Sequence, residues 1–153
     1  MVRMTDIDPA MAEHLEALEC TEYDTAPWVT GPPLSQRRVA IVSTAGLLRR
    51  GDRPFAVGDT GYRLIPGDLE AAELGMSHIS TNFDRTGFQQ DMNVAFPIDR
   101  LRELAADGTI GSVADYHYSF MGATSPDLMA PTVEHLVPLL QKDGVDAVLL
   151  APV

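Results

Sequence analysis

Between residues 77 and 99 the chain reads SHISTNFDRTGFQQDMNVAFPID, in which His78, Thr81, Asp84, Arg85, Asp91 and Asn93 crowd a short polar stretch before an apolar run. An imidazole beside a carboxylate can move protons near neutral pH or hold a divalent metal. His78 is therefore a candidate acid or base, and His117, close to another expected strand end, is the second. With Asp84, these two histidines are also the ligand set of an alternative reading, a metal-assisted enzyme; the main reading places no metal here. Arg85 has the planar fork that grips a carboxylate through two hydrogen bonds, and the plainer reading of it is a surface ion pair with Asp84 or Asp91. Thr81 and Asn93 add hydrogen-bonding groups for a small polar substrate, although a buried amide such as Asn93 must also satisfy its own needs.

A second group of candidates follows an apolar run. Ser43, Thr44 and Gly46 stand where RVAIVS gives way to a loop, and hydroxyls and free N–H groups at such a step receive carboxylates or phosphates. Gly46 has the simpler alternative of turn geometry. No GxGxxG and no phosphate-binding loop supports a nucleotide. Tyr116, Tyr118 and Phe120 alternate with His117 and Ser119, so one set is expected in the core and the other outward or in a site. Ser119 thereby joins the substrate-binding candidates.

These residues need a scaffold, and 153 residues with 45% hydrophobic content suffice for one globular core. The order of elements predicts a single α/β domain with a mainly parallel open sheet flanked by helices over residues 38–153, preceded by a helix and a proline-rich strap over residues 1–37. Asp8 and Pro9 open the leading helix, expected to extend to residue 20, with Met11, Leu15 and Leu18 at near-helical spacing. TEYDTAPWVTGPPLSQ then carries three prolines and reads as an extended strap anchored by Tyr23 and Trp28, an arm suited to reach a second subunit. Strands are expected at residues 38–44, 62–65, 76–79, 92–96 and 116–120. One helix begins at Pro97 and ends at Gly108; the longest runs from Ser125 to Gly144, with a bend expected at Pro138. Residues 145–153 are nearly all apolar, the mark of a central strand.

Composition narrows the function classes. A formal net charge of −11, with no basic cluster longer than the pairs Arg37–Arg38 and Arg49–Arg50, argues against nucleic acid. No stretch approaches a membrane span, and the N-terminus lacks the pattern of a cleaved signal, so a cytoplasmic location is expected. The single cysteine, Cys20, excludes an internal disulfide and a cysteine-rich zinc site; its neighbours Glu19 and Glu22 disfavour a reactive thiolate.

The runs RVAIVSTAGL, GDRPF, YRLIP, SHISTNFDRT, DMNVAFPIDRL, IGSVADYHYSFMG and DGVDAVLLAPV, in this order, resemble the selenoprotein B component of glycine, sarcosine and betaine reductases, a family related to part of D-proline reductase. FPIDRL and HYSFMG are its more specific marks. The resemblance implies reductive C–N cleavage of a small amino acid or betaine, transfer of the carboxymethyl unit to a partner selenoprotein, and association with other reductase subunits. It also implies a selenocysteine or cysteine just after the strand AVLLAPV, beyond Val153. On this reading the 153 residues hold no cofactor, supply substrate binding and orientation, and turn nothing over alone. A non-catalytic binding or regulatory subunit is the alternative. Either way, a homo- or hetero-oligomer is expected.

Overall fold

The computed structural model describes residues 3–17, 22, 24–80 and 85–153. They form two compact units, Met1–Thr30 and Gly31–Val153. In the first, α1 spans Pro9–Glu16. Asp8 caps it, its carboxylate accepting from the N–H groups of Ala10 at 3.0 Å and Met11 at 3.4 Å, and Pro9 at the first helical position forgoes an N–H that would otherwise need a partner. Met11 and Leu15 stay well exposed. Trp28, an expected anchor of the strap, is 84% exposed, while Leu18 and Tyr23 lie outside the described residues.

The second unit contains, in order, β1 (Arg38–Ser43), β2 (Leu47–Arg49), β3 (Arg63–Pro66), β4 (Leu74–Met76), α2 (Thr86–Gln90), α3 (Ile98–Ala106), β5 (Ser112–Val113), β6 (Tyr116–Ser119), α4 (Pro126–Lys142) and β7 (Ala147–Ala151). The β-branched run of β1 lies inside the sheet. Along one side it pairs in parallel with β7, from Val39 opposite Ala147 to Ser43 opposite Ala151. Along the other it pairs in parallel with β5 at its start and β6 at its end, and β3 closes that side antiparallel to β6. The expected α/β architecture with a mainly parallel sheet is what the chain forms. β2 and β4 make a separate antiparallel pair.

Helices cover both faces. Val39 and Ile41 of β1, Ile65 of β3 and Phe96 pack with Ile98 and Leu101 of α3. Tyr118 and Phe120 pack with Met129 and Leu136 of α4, Val42 joining from β1. Because both faces are dry, the alternation at residues 116–120 does not sort into core and exposed sets: His117 and Ser119 are as fully buried as Tyr118. The longest helix runs continuously through Pro131 and Pro138.

Three further expectations change. Residues 92–96 are not a strand. Met92–Val94 form a single 3-10 turn, because the Asp91 carboxylate accepts from the Asn93 N–H at 2.9 Å and offers the backbone a local alternative to a sheet ladder. The strand expected at residues 76–79 lies earlier, at β4, and His78 follows it in a loop. Finally, β7 is a marginal strand and not a central one: its outer side pairs with nothing among the described residues, and Leu150 is 70% exposed.

Candidate functional site at the carboxyl ends of the strands

Parallel strands deliver their chains to one end of the sheet, and the loops leaving β1, β6 and β7 meet there. Thr44 is the hinge of this junction. Its N–H donates to the Ala151 carbonyl at 3.2 Å, and its hydroxyl both accepts from the Val153 N–H at 2.8 Å and donates to the Val153 carbonyl at 3.2 Å. Gly122, just beyond β6, lies against the same clasp: a Cβ there would sit 2.5 Å from the Val153 oxygen and 2.9 Å from the Thr44 oxygen. Only glycine allows that approach.

Gly46 brings in the His78 loop. It adopts φ 64°, and a Cβ on it would lie 3.0 Å from the Cα and N of His78. Its N–H donates to the Phe120 carbonyl at 2.9 Å, and its own carbonyl accepts from Ser77 at 2.8 Å. Turn geometry and close approach are thus both real reasons for the glycine. His78 is buried, and its Nδ1 accepts from the Ser80 N–H at 3.2 Å, which puts the proton of the neutral ring on Nε2. Burial, reinforced by the nearby Arg85 charge, lowers its pKa below the usual 6.5, so the ring is neutral at pH 7. The Arg85 guanidinium donates to the carbonyls of His78 and Ser80 and holds the loop in shape.

The other candidates have different surroundings. Ser43 is fully buried; its hydroxyl donates to the Ala95 carbonyl at 3.0 Å and accepts from the Ala45 N–H at 3.2 Å. The Ser119 hydroxyl accepts from the Leu47 N–H at 2.7 Å. Asn93 sits at the entry to α3, its amide donating to Asp91 and to Asp99 at 3.0 Å each while its oxygen accepts from the Asp99 N–H. Asn93 lowers the pKa of both aspartates, through its backbone N–H and then its amide at Asp91 and through its amide at Asp99. His117 lies within the sheet, its Nδ1 accepting from the Ile41 N–H at 2.9 Å. Thr81 and Asp84 lie outside the described residues.

The geometry therefore gathers Thr44, Gly46, His78 and Arg85, adds Gly122 and Val153, and leaves Asn93 tying Asp91 to Asp99 at the start of α3 and His117 serving the backbone of β1. Gly122, three residues past the end of β6, is a site residue that local sequence does not single out beyond being a glycine near a strand end, a place where backbones approach closely. Among the described residues no group of three or more His, Cys, Asp or Glu side chains converges as a metal site, and the Nδ1 of His117 is already used. What this junction offers is a neutral imidazole, a guanidinium and a tightly held end of β7. The described residues contain no thiol, and the Ser43 and Ser119 hydroxyls are committed to backbone partners.

An open, mainly parallel α/β sheet with polar loops beyond the carboxyl ends of its strands is a class of protein that handles small molecules at that end. Within that class the chain belongs to the glycine/sarcosine/betaine reductase selenoprotein B family, whose model matches residues 24–153. It is 34% identical over 133 residues to D-proline reductase subunit gamma of Acetoanaerobium sticklandii, covering 80% of this chain and 54% of that one. It is also 32% identical to betaine reductase complex component B subunit beta of Peptoclostridium acidaminophilum and 31% identical to glycine reductase complex component B subunit gamma of Carboxydothermus hydrogenoformans, in each case over 76% of this chain and 28% of the relative. The chain thus spans about half the length of the first relative and under a third of the other two. No solved structure gives a significant match. Among the described residues no helix is long and apolar enough to cross a membrane.

Proposed function

We propose that these residues form the substrate-orienting part of a reductase subunit that acts on a small amino acid or betaine by reductive C–N cleavage. The observation that carries the reading is the Thr44 clasp: it holds the backbone of residue 153 at the carboxyl ends of β1 and β6, beside the His78 loop. A group delivered at that point would face the polar junction. The 153 residues contain one cysteine, Cys20, which lies outside the residues matched by the family model. On this reading the reactive selenium or sulfur is brought to the junction from outside residues 24–153. The His78 loop borders the junction and shapes it, and other reductase subunits are the partners.

The test has two arms. Titration of the purified chain with glycine, sarcosine, betaine and D-proline should give saturable binding of one of them, weakened about tenfold in His78→Ala, which leaves a hole beneath the loop that borders the junction. Incubation with the same compounds and a dithiol should give no C–N cleavage. Turnover by these 153 residues alone, or failure to bind any of the four, overturns the proposal.

A further inference from the structure

Residues 50–62, which join β2 to β3, contain neither helix nor strand, yet one side chain gives them a fixed shape. The Arg63 guanidinium donates to the carbonyls of Arg53 at 2.9 Å, Tyr62 at 3.2 Å and Pro54 at 3.3 Å and to the Asp59 carboxylate at 2.8 Å, and it lies 4.0 Å from the centre of the Phe55 ring. Those bonds commit it to the loop. Because β3 runs antiparallel to β6 with Arg63 opposite Ser119, the loop stands at the carboxyl ends of the parallel strands, the end that holds the junction. The Phe55 N–H donates to the Ser77 hydroxyl at 2.9 Å and the Thr124 hydroxyl donates to the Asp59 carbonyl at 3.0 Å, which ties the loop to the residue before His78 and to the chain beyond β6.

The loop borders an open hollow of about 570 Å³. Its lining carries two guanidinium groups, Arg53 and Arg63, against one carboxylate, Asp59. Both Asp59 oxygens are occupied, one by Arg63 and the other by the Gly61 N–H at 2.9 Å. Burial opposes its ionisation, but those bonds outweigh burial and hold its pKa below the usual carboxylate value, so Asp59 stays charged and balances Arg63. Arg53 is the charge in excess. Its side chain is exposed and makes no hydrogen bond or ion pair among the described residues; the neighbouring Asp52 is exposed too and does not line the hollow. The half-buried Thr60, in the same lining, has a hydroxyl that likewise makes no hydrogen bond among the described residues.

We propose that this hollow binds a small carboxylate, gripped by the Arg53 fork through paired hydrogen bonds and by the Thr60 hydroxyl. A carboxylate matches the fork in geometry as well as in sign, whereas a cation meets like charge there. The chain as a whole carries −11, so a local positive excess is what lets an anion settle here and not on the surrounding surface. Exposure keeps the affinity modest and makes it fall with salt. The inference rests on the substrate reading above and deepens it: glycine, sarcosine, betaine and D-proline share a carboxylate, and the hollow takes that group while the clasp at the same end of the sheet holds residue 153.

Acetate is the probe, with acetamide as its uncharged counterpart and sodium chloride as the control for ionic strength, followed on the full chain by the NMR signals of the Arg53 side-chain Nε–H and the Thr60 amide. Acetate should shift both saturably, with a dissociation constant on the order of 10 mM, and acetamide should shift neither. Read at the Thr60 amide, Arg53→Gln should weaken acetate about fivefold, and Arg53→Lys, which keeps the charge and loses the fork, about threefold. Whichever of the four substrates binds the chain should compete with acetate and weaken by a similar factor in Arg53→Gln. Acetate shifts no larger than those of chloride, equal shifts with acetamide, or unchanged acetate affinity in Arg53→Gln overturns the assignment. A substrate that binds equally well to the wild-type chain and to Arg53→Gln overturns it too and leaves the reductase reading standing. Acetate bound at Arg53 with none of the four substrates bound supports the hollow and overturns that reading instead.

Discussion

His117 shows how a residue suited to proton transfer becomes part of a sheet. Between β5 and β6 the ladder to β1 is interrupted, and the imidazole Nδ1 stands in for the missing carbonyl by accepting the Ile41 N–H. The proton therefore sits on Nε2, which is buried without a hydrogen-bond partner among the described residues, while the ring stands edge-on to Phe96 at 5.5 Å. Protonation would turn Nδ1 into a donor facing a donor. Burial dominates the pKa, Asp143 opposes it, Arg102 and Arg38 assist, and the value falls from 6.5 to about 4. In the unfolded chain the ring takes up its proton as pH drops through 6.5, whereas the folded ring resists until about 4, so this contribution is full above 6.5 and disappears between those limits. The group should cost about 3 kcal/mol of stability across that window. Urea midpoints at pH 7, 5.5 and 4 measure it. His117→Asn should cost about 2 kcal/mol at pH 7 and flatten the acid slope; an undiminished slope in that variant would show that another group carries it.

At the level of elements, the junction beyond β1, β6 and β7 depends on one hydroxyl and one missing methyl group. Thr44→Val keeps the shape and removes both bonds to Val153, which should cost about 1–2 kcal/mol and release the end of β7. Hydrogen exchange at the Val153 amide should then accelerate at least tenfold while the β1 amides stay protected. Gly122→Ala pushes a methyl group against two backbone oxygens, neither of which can swing aside like a side chain, so the same amide should lose protection there as well. If Val153 exchanges equally fast in the wild-type chain, the clasp does not hold in solution. The elements around this junction differ in how plainly their residues announced them. RVAIVS followed by a turn reads as a buried parallel strand, and it is one. DMNVAF also suggests a strand, yet the Asp91 carboxylate captures the Asn93 N–H there and closes a turn.

For the whole molecule, β7 presents the main unsolved surface. It is apolar on both faces, as strands inside parallel sheets are, but its outer side has no partner among the described residues and Val148, Leu149 and Leu150 are well exposed. Association through this edge is the expected consequence, opposed by the repulsion of a net charge of −11. Light scattering after size exclusion should give at least twice the 16.6 kDa chain mass, with the larger species strengthened by salt because screening weakens the repulsion. Leu150→Lys should shift the population toward the monomer. A monomer at all salt concentrations would show that the edge is quiet in the isolated chain.

Local chemistry settled much of this protein before any folding is considered. The β-branched run of β1, the Asp8–Pro9 helix start and the apolar stripe of α4 all carry their meaning within a few residues, because propensity, capping and periodicity act over one or two turns. Tertiary structure alone decided what the polar residues do. His78 and His117 look alike along the chain. One lies in a loop at the carboxyl ends of the strands and the other replaces a carbonyl inside the sheet, because Ile41 needed an acceptor 76 positions away. Likewise, Thr44 meets Val153 across 109 positions. A hydrogen bond that closes so long a loop leaves no trace in local spacing; it exists only once the sheet has aligned its strands.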